Sequence, residues 1–282
     1  MNGFFNIDKP FNMSSAKAVW LIKKKFNLKE KIGHMGTLDP FATGVLVIGL
    51  GRASRLFDVM LDKRKTYIAT FEFGYQTKTL DMESQEIEAR SDCIPTKEEI
   101  EKLLPEMIGK QEQLAPQYSA KSIGGTRAYM LARSGKIADI KPHNIEIYSL
   151  ELLEQKSLTE FIFEIECSGG TYIRSICRDL AYKLGTVATM TALKRTQCGD
   201  FKIQDSKSIE GLQEEDCISS DFVLKHLEIL DINSEDLQKI KNGLKLFRKE
   251  KSGLYRVYDN KQLLGVIKIE EDGSVKMKSW LV

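Results

Sequence analysis

The sequence contains few of the residues on which several common classes of protein depend. Its five cysteines are scattered, odd in number and without a Cys-x-x-Cys pair, which argues against a disulfide framework or a zinc site and favours a reducing compartment. Its three histidines lie too far apart along the chain to predict a metal centre. No apolar run approaches the ~20 residues needed to cross a bilayer, and no signal peptide is visible at the N-terminus. We therefore expect a cytoplasmic protein without a membrane segment.

The motifs of two large enzyme classes are absent as well. The sequence has neither a GxxxxGK phosphate-binding loop nor a serine-hydrolase elbow. Its 282 residues are enough for one large domain, or for one domain with a small appendage. A hydrophobic content of 42% with 29% charged residues is typical of a globular protein with a substantial core.

The most informative segment that is present covers residues 33–44, GHMGTLDPFATG. It places one carboxylate, Asp39, in a loop with three glycines and a proline, before an apolar run at 45–50 that predicts a buried strand. Pro40 biases the backbone of Asp39 away from the helical region. The pattern predicts a restrained carboxylate at the mouth of a cleft. A structural role stays open, because Asp-Pro is also a common turn dipeptide.

Positive charge is concentrated around this segment, although the net charge is only +2. Residues 1–65 contain twelve Lys or Arg against five Asp or Glu, whereas acidic residues outnumber basic ones by five in the remainder. A basic N-terminal third predicts a polyanionic ligand near the Asp39 loop. The lysine run at 23–25 can equally be the solvated face of a helix.

Local sequence patterns predict helices and strands that alternate irregularly, so the expected fold class is α+β. A helix capped at residues 14–15 is expected to end near Phe26. Its predicted apolar side consists of Ala16, Val19, Trp20 and Ile22. Further helices are predicted from a capping box at 95–99 and from the helical spacing over 173–184, which Gly185 terminates.

Strands are predicted at 67–73 and 161–167, where apolar and polar residues alternate. Beyond a boundary near residue 230, a short helix is expected to end at Gly243. Three short strands are predicted after it, at 254–258, 263–269 and 275–281, with turns at Asp259-Asn260 and Asp272-Gly273.

Two other segments carry candidate binding residues. Residues 117–129 mix aromatic and basic side chains around a Gly-Gly pair, which suits stacking on bases and pairing with phosphates, or an ordinary surface loop. Arg174 follows a second Gly-Gly turn at the opening of a helix, where its guanidinium can pair with a carboxylate or simply face solvent. Residue patterns alone thus predict one constrained carboxylate, one candidate arginine partner and a basic surface.

The chain resembles the TruB family of tRNA pseudouridine synthases through motifs that follow the family's order along most of its length. The N-terminal motifs are Asp8-Lys9-Pro10 with Ser14-Ser15, the segment 33–44, Gly51-Arg52-Ala53-Ser54-Arg55 and Lys65-Thr66-Tyr67. The later motifs lie at 77–81, 113–135, 167–179 and 192–201. So many ordered motifs at the family's spacing are a specific signal.

The resemblance implies isomerisation of a uridine to pseudouridine at position 55, in the T-loop of tRNA, with no cofactor and no metal. The uracil must leave its C1′–N1 bond, rotate and rejoin through C5, so the nucleotide is flipped out of its stack. The implied partner is the T-arm of tRNA, with no membrane and no required protein partner, and a monomer is expected. Whether Asp39 attacks the sugar, attacks the base or deprotonates the ribose stays open.

The resemblance also assigns roles to individual residues. Asp39 is expected to be the catalytic carboxylate, Arg174 its ion-pair partner, and Tyr67 the ring that stacks on the uracil and can help to remove the C5 proton. The expected substrate-binding residues are Lys9 at the floor of the site, His34 in the space that the base vacates, Arg55 at a phosphate, Asp81, Tyr172 along the cleft and Leu193 in the pocket wall.

Two features of the 33–44 segment lead to further expectations. Its glycines are expected to allow close approach of an RNA backbone. Met35 stands where the family usually has a small residue, and it is expected to narrow the loop beside His34.

The resemblance implies the pseudouridine synthase fold, a mixed and mainly antiparallel central sheet flanked by helices and loops. The catalytic domain is expected over residues 1–230, with a mobile RNA-clamping segment at about 113–140. Residues 231–282 are expected to form a small, β-rich, reduced PUA-like RNA-binding domain. Two alternatives stay open: an RNA-binding or RNA-folding protein whose catalysis has lapsed, and a guide-RNA-dependent relative that needs protein partners.

Overall fold

The computed structural model describes residues 1–61, 63–259 and 261–282, so the predicted Asp259-Asn260 turn includes a residue, Asn260, outside the described ones. Its α-helices are α1 Ser15–Lys25, α2 Phe57–Leu61, α3 Lys97–Leu103, α4 Ala128–Arg133, α5 Ile173–Lys183, α6 Ser220–Leu224 and α7 Ser234–Lys241. In the part of the chain that the structure covers, no helix is long and apolar enough to span a membrane.

The strands form one large sheet, one small C-terminal sheet and two hairpins. They are β1 Gly3–Lys9, β2 Ile32–His34, β3 Thr43–Leu50, β4 Lys65–Phe73, β5 Tyr75–Thr77, β6 Ile87–Arg90, β7 Gly109–Gln113, β8 Ser122–Ile123, β9 Thr126–Arg127, β10 His143–Gln155, β11 Glu160–Cys167, β12 Ala188–Cys198, β13 Phe201–Lys202, β14 Glu228–Asp231, β15 Gly253–Asp259, β16 Gln262–Ile269 and β17 Val275–Trp280.

The large sheet has the strand order β1-β3-β12-β4-β11-β10-β7, with β2 beside β3 and β13 beside β12. Within the described residues its pairings are antiparallel except that of β12 with β3, which is parallel and joins Lys194 to Thr43 and Arg195 to Gly44. The expected mixed, mainly antiparallel sheet is confirmed. This short parallel pairing brings the start of β3, directly after the Asp39 loop, against the middle of β12.

Strand β3 is buried on both faces, which explains its continuous apolar run. Leu46 and Ile48 point into the main apolar cluster, which also contains residues of α1 and α5. Val45 and Val47 point into a second cluster, to which the C-terminal sheet contributes Val266. The Asp39 loop is therefore attached to the most deeply buried strand of the sheet.

Helix α1 is confirmed, with the Lys17 backbone N–H donating to the Oγ of its N-cap residue Ser14. Its predicted apolar side is right for Val19 and Ile22, which pack in or against the main cluster, and wrong for Ala16 and Trp20. The buried residues are Ser15, Ala18 and Ile22, whereas Ala16 and Trp20 are exposed. The Ser15 hydroxyl hydrogen-bonds both the N–H and the carbonyl of Leu38 at 2.9 Å. These bonds turn Ser15 toward the Asp39 loop and so place the side opposite it in solvent.

The other local helix signals are confirmed. The capping box at the start of α3 is present, with Thr96 and Glu99 hydrogen-bonded reciprocally. Helix α5 ends at Lys183 with Leu184 as its C-cap residue, and Gly185 follows with φ +71°, the left-handed conformation that glycine adopts without a steric cost.

The C-terminal part contains the predicted short helix and three strands, together with one strand that the sequence did not predict. Strand β14 is only four residues long and runs parallel to β15. Because Leu230 is its single buried residue, the sequence of β14 has no alternation of apolar and polar residues that would predict a strand. It also crosses the expected domain boundary at residue 230, so the small sheet starts before that boundary.

Candidate active site

The backbone around Asp39 is fixed on both sides by buried polar side chains. Ser15 binds the peptide groups of Leu38, as described above. The Lys9 ammonium donates to the carbonyl of Pro40 at 3.1 Å and to those of Pro10 and Met13 at 3.0 and 2.6 Å. Lys9 is fully buried, and burial lowers its pKa to about 8, while the nearby carboxylate of Asp39 opposes that shift.

Arg174 pairs with Asp39 through two parallel contacts. Its Nε lies 3.1 Å from Asp39 Oδ2, and its Nη2 donates to Asp39 Oδ1 at 3.2 Å. The guanidinium side chain is 6% exposed and the carboxylate 30%. A bidentate pair of this kind fixes the orientation of a carboxylate. The structure therefore brings together the two residues that the sequence could propose only as separate candidates.

Asp81 lies behind Arg174 instead of at the substrate side of the cleft. Its Oδ2 is 3.2 Å from Arg174 Nη1, and its Oδ1 accepts from the Thr79 hydroxyl at 2.5 Å. Burial raises the pKa of Asp81, and Arg174 opposes that shift. Because Asp81 is 0% exposed, the expectation that it contacts the substrate does not agree with this structure.

Tyr67 and Leu193 form one wall of the cleft beside Asp39. They lie on the adjacent strands β4 and β12 and are 6% and 7% exposed. Burial raises the pKa of the Tyr67 phenol well above its ordinary value, and the positive charge of Arg195 opposes that shift. Tyr67 is therefore a neutral phenol near pH 7. The residues that line the cleft with them include Thr37, Ala120, Tyr172, Met190 and Arg195.

Tyr172 occupies the N-cap position of α5, two residues before Arg174. The Gln113 side-chain amide accepts from its N–H at 2.8 Å and donates to its carbonyl at 3.1 Å. Its ring packs edge-on against His143 with centroids 6.0 Å apart. Burial raises the pKa of Tyr172. Tyr172 lies along the cleft, as the sequence predicts.

His34 and Arg55 are outside the described lining of the Asp39 cleft. His34 lies on β2, and burial together with the charge of Arg195 lowers its pKa. Arg55 lies in the 3₁₀ turn Gly51–Leu56, where its Nη1 donates to the carbonyl of Trp280 at 2.8 Å. Arg55 thus has a structural contact with the C-terminal sheet that the sequence did not reveal.

One expectation about the 33–44 segment is wrong, and a second has another explanation at Gly44. Met35 is 2% exposed and packs in the second apolar cluster over Gly49, where an added Cβ would lie 2.7 Å from the Met35 Cε. It points into the core and does not narrow the loop beside His34. Gly44 has φ +98°, and a Cβ there would lie 2.2 Å from the carbonyl oxygen of Arg195. The backbone of β12 requires this glycine, independently of any RNA.

The segment at about 113–140 packs as a small unit of its own over the cleft. Ala115, Ala128, Ala138 and Ile140 form a separate buried cluster that Tyr172 touches. Ala120 reaches the lining of the Asp39 cleft, whereas Ile137 is 90% exposed. The N-terminal end of the segment is tied to α5, since the Ser175 hydroxyl donates to the Leu114 carbonyl at 2.8 Å.

Arg195 is the main residue of the site to which the sequence assigned no role. It is 1% exposed, and its guanidinium contacts the carbonyls on both ends of the Asp39 loop. One signal was available in the sequence. Arg195 stands two residues after Leu193, so it falls on the same face of a strand, at a position where a buried residue is expected.

Comparisons with known proteins agree with this geometry. Residues 23–173 match the profile of the TruB family pseudouridylate synthase N-terminal domain, and residues 174–227 match that of the tRNA pseudouridylate synthase B C-terminal domain. The tRNA pseudouridine synthase B of Rickettsia bellii (strain OSU 85-389) is 42% identical over 255 residues, which cover 87% of this chain and 86% of that protein. The enzyme of the same name from Clostridium perfringens (strain 13 / Type A) is 37% identical over 285 residues, with 97% of each chain covered.

Solved structures share the fold. The match to a crystal structure of a Cbf5-Nop10-Gar1 complex has a TM-score of 0.73 with 23% sequence identity, over 99% of this chain and 85% of that one. The match to an H/ACA RNP bound to a substrate RNA containing 2'-deoxyuridine has a TM-score of 0.71 with 22% identity over the same shares. The expected pseudouridine synthase fold is confirmed. The chain is therefore a pseudouridine synthase and belongs to the TruB family.

Proposed function

We propose that this protein converts uridine to pseudouridine at position 55, in the T-loop of tRNA. The observation that carries the proposal is the bidentate pair of Asp39 with the buried Arg174 at the edge of a cleft whose wall is Tyr67 and Leu193. The names of the curated relatives, tRNA pseudouridine synthase B, support tRNA as the substrate. A uridine stacked in an RNA reaches a residue within such a cleft only as a flipped nucleotide.

In this proposal Asp39 is the catalytic residue. The reaction breaks the C1′–N1 bond and forms a C1′–C5 bond, and C5 loses a proton while N1 gains one. Arg174 holds the carboxylate in one orientation, which suits attack on the sugar or the base as well as deprotonation of the ribose. Asp81 holds Arg174 from behind, so we assign it a positioning role.

Tyr67 is assigned to stacking on the uracil. Its ring is presented by β4 beside Leu193, and aromatic side chains stack on unpaired bases without a charge requirement. Because burial raises the pKa of its phenol, a phenolate that could remove the C5 proton is scarce near pH 7. His34 is assigned to the space that the flipped base leaves, Lys9 to support of the loop, and Tyr172 to the cleft wall.

The remaining parts of the chain are assigned to the RNA. The 113–140 segment clamps the T-arm over the cleft, and Arg55 binds a phosphate. Residues 231–282, with the preceding strand β14, form a reduced PUA-like unit that contacts the tRNA. The proposed enzyme acts in the cytoplasm as a monomer, with tRNA as its partner and without a further protein.

The decisive test compares Asp39→Asn with the unaltered protein on unmodified tRNA. We expect loss of C5 tritium release and of pseudouridine, by at least about 10³-fold, with T-arm affinity changed less than threefold because the amide keeps the shape of the carboxylate. Asp92→Asn changes an exposed carboxylate and serves as the matched control. Normal release of the C5 proton by Asp39→Asn would contradict the assignment.

The same assay separates the two alternatives. An enzyme that depends on guide RNA and partner proteins would leave tRNA unmodified when the purified chain is used alone. A protein with only an RNA-folding role would bind the T-arm and form no pseudouridine in any preparation. Turnover by the purified chain alone is the expected result.

A further inference from the structure

Arg195 is a buried cation in the wall of the active site. It lies on β12 directly opposite Tyr67 of β4, so both side chains project from the same face of the sheet. Its positive charge is close enough to the Tyr67 phenol to oppose the rise in pKa that burial causes. Both residues line the Asp39 cleft.

The same guanidinium binds the two ends of the Asp39 loop. Its Nη2 and Nη1 donate to the carbonyls of Gly36 and Thr37 at 3.2 and 3.4 Å, before Asp39 in the chain. Its Nε donates to the carbonyl of Val45 at 2.7 Å, after Asp39. One rigid planar group thus spans the neck of the loop that carries the carboxylate.

Burying a cation in this way is costly. Among the residues that the structure describes, no carboxylate lies within ion-pair distance of Arg195, and an uncompensated buried charge loses its hydration. An apolar residue at the same position would avoid that cost. Arg195 is therefore not explained by a gain in the stability of β12. What it provides at this position is a fixed set of hydrogen-bond donors.

We propose that Arg195 is a positioning residue of the isomerisation, which holds both ends of the Asp39 loop in a fixed arrangement beside Tyr67, its partner on β4. Asp39 and the ring of Tyr67 are then already placed to contact the two sides of one uridine. The loop does not have to move when the nucleotide binds. This inference rests on the proposed function. Lysine cannot replace Arg195, because an ammonium has no planar fork of donors to span the three carbonyls.

The test measures single-turnover rates with saturating T-arm RNA for Arg195→Ala and Arg195→Lys. We expect Arg195→Ala to be slower by about 100-fold, since misplacement of a reacting group by about 1 Å has an effect of this size. The dissociation constant for the RNA should change less than threefold. Arg195→Lys should be slowed by at least about tenfold while its thermal unfolding midpoint stays near that of the unaltered protein. Arg64→Met removes an exposed arginine that pairs with Glu166 and serves as the control.

Chemical rescue separates positioning from folding. Because Arg195 lines the cleft, its removal leaves a space that free guanidinium can enter. Added guanidinium at tens of millimolar should raise the rate of Arg195→Ala at least about fivefold, whereas equal concentrations of sodium or urea should not. A wild-type rate in Arg195→Lys, or a loss confined to RNA affinity, would overturn the proposal.

A readout without substrate keeps this inference distinct from the proposed function. Hydrogen exchange of the amides at 36–45 should accelerate in Arg195→Lys and Arg195→Ala, with exchange in β10 and β11 unchanged. If the unaltered protein formed no pseudouridine, the proposed function would fail while this measurement still stood. Unchanged protection at 36–45 would overturn the role of Arg195 by itself.

Discussion

Arg174 serves two carboxylates with one guanidinium. Asp39 contacts its Nε and Nη2 atoms and Asp81 contacts its Nη1 atom. Of the two carboxylates, Asp39 lines the cleft. Burial acts to lower the pKa of Arg174, but the two carboxylates outweigh it and raise that pKa. Asp81 therefore fixes the direction of the guanidinium before an RNA arrives, which preorganises the charge of Asp39.

Lys9 makes the stability of the fold depend on pH in an unusual direction. Its pKa in the folded protein is about 8, lowered by burial from 10.5. Between these values the unfolded chain binds more protons than the folded one, so the free energy of unfolding rises with pH there. We expect the unaltered protein to gain on the order of 2–3 kcal/mol relative to Lys9→Met between pH 8 and 10.5.

Urea denaturation at closely spaced pH values measures this difference. Groups that titrate in both proteins cancel when the two curves are subtracted. Lys29→Met, which removes an exposed lysine, should give a curve parallel to that of the unaltered protein. Parallel curves for Lys9→Met as well would show that Lys9 is not the group responsible.

At the scale of elements, the contact between β3 and β12 determines the position of the Asp39 loop. It consists of two residue pairs, Lys194 with Thr43 and Arg195 with Gly44. Beyond it the two strands diverge, and the Arg195 side chain occupies the gap toward the loop. The close approach of the two backbones is possible because Gly44 has no side chain.

Gly44→Ala should therefore destabilise the fold strongly. Alanine at φ +98° with its Cβ 2.2 Å from a carbonyl oxygen would force β3 away from β12, at a cost of at least about 3 kcal/mol. Gly33→Ala is the matched control, since no atom lies within 4 Å of its added Cβ, and it should change stability by less than about 1 kcal/mol. Urea denaturation of both variants tests this. Equal effects would contradict the steric explanation.

Some features of the elements are predictable from the local sequence, and others depend on contacts between distant segments. The start of α1 and the capping box of α3 depend on bonds within four residues, so local patterns predict them. The rotation of α1 depends on Ser15 meeting Leu38, a contact between segments far apart in the sequence. The burial of Met35 depends on space over Gly49, and the place of Asp81 depends on Arg174. Such nonlocal contacts leave no periodic signal.

At the scale of the whole molecule, the C-terminal sheet is attached to the rest of the chain by contacts of β16 and β17. Val266 of β16 packs in the second apolar cluster with residues of β1 and β3. Arg55 donates to the Trp280 carbonyl, and the Ser279 hydroxyl donates to the Arg55 carbonyl at 3.1 Å. The joint thus combines an apolar contact with hydrogen bonds at β17.

Arg55→Ala should weaken tRNA binding and lower the slope of log affinity against log salt by about 1, because one phosphate contact releases about one counterion. Turnover at saturating RNA should stay within twofold. Ser279→Ala loosens the same joint without removing the charge and should leave the salt slope unchanged. Equal slopes for both variants would mean that Arg55 acts through the joint and not on a phosphate. Filter binding over a salt series measures both.

The parallel pairing of β3 with β12 also has a consequence for biosynthesis. The loop at 36–45 emerges early from the ribosome, but its anchor Arg195 is about 150 residues further along the chain. The outer edge of β1 likewise finds its partners only at Lys207 and Ile218. Contacts of such long range form late and slow the search for the native state. A growing chain therefore carries the Asp39 carboxylate long before Arg195 is present to hold the loop around it.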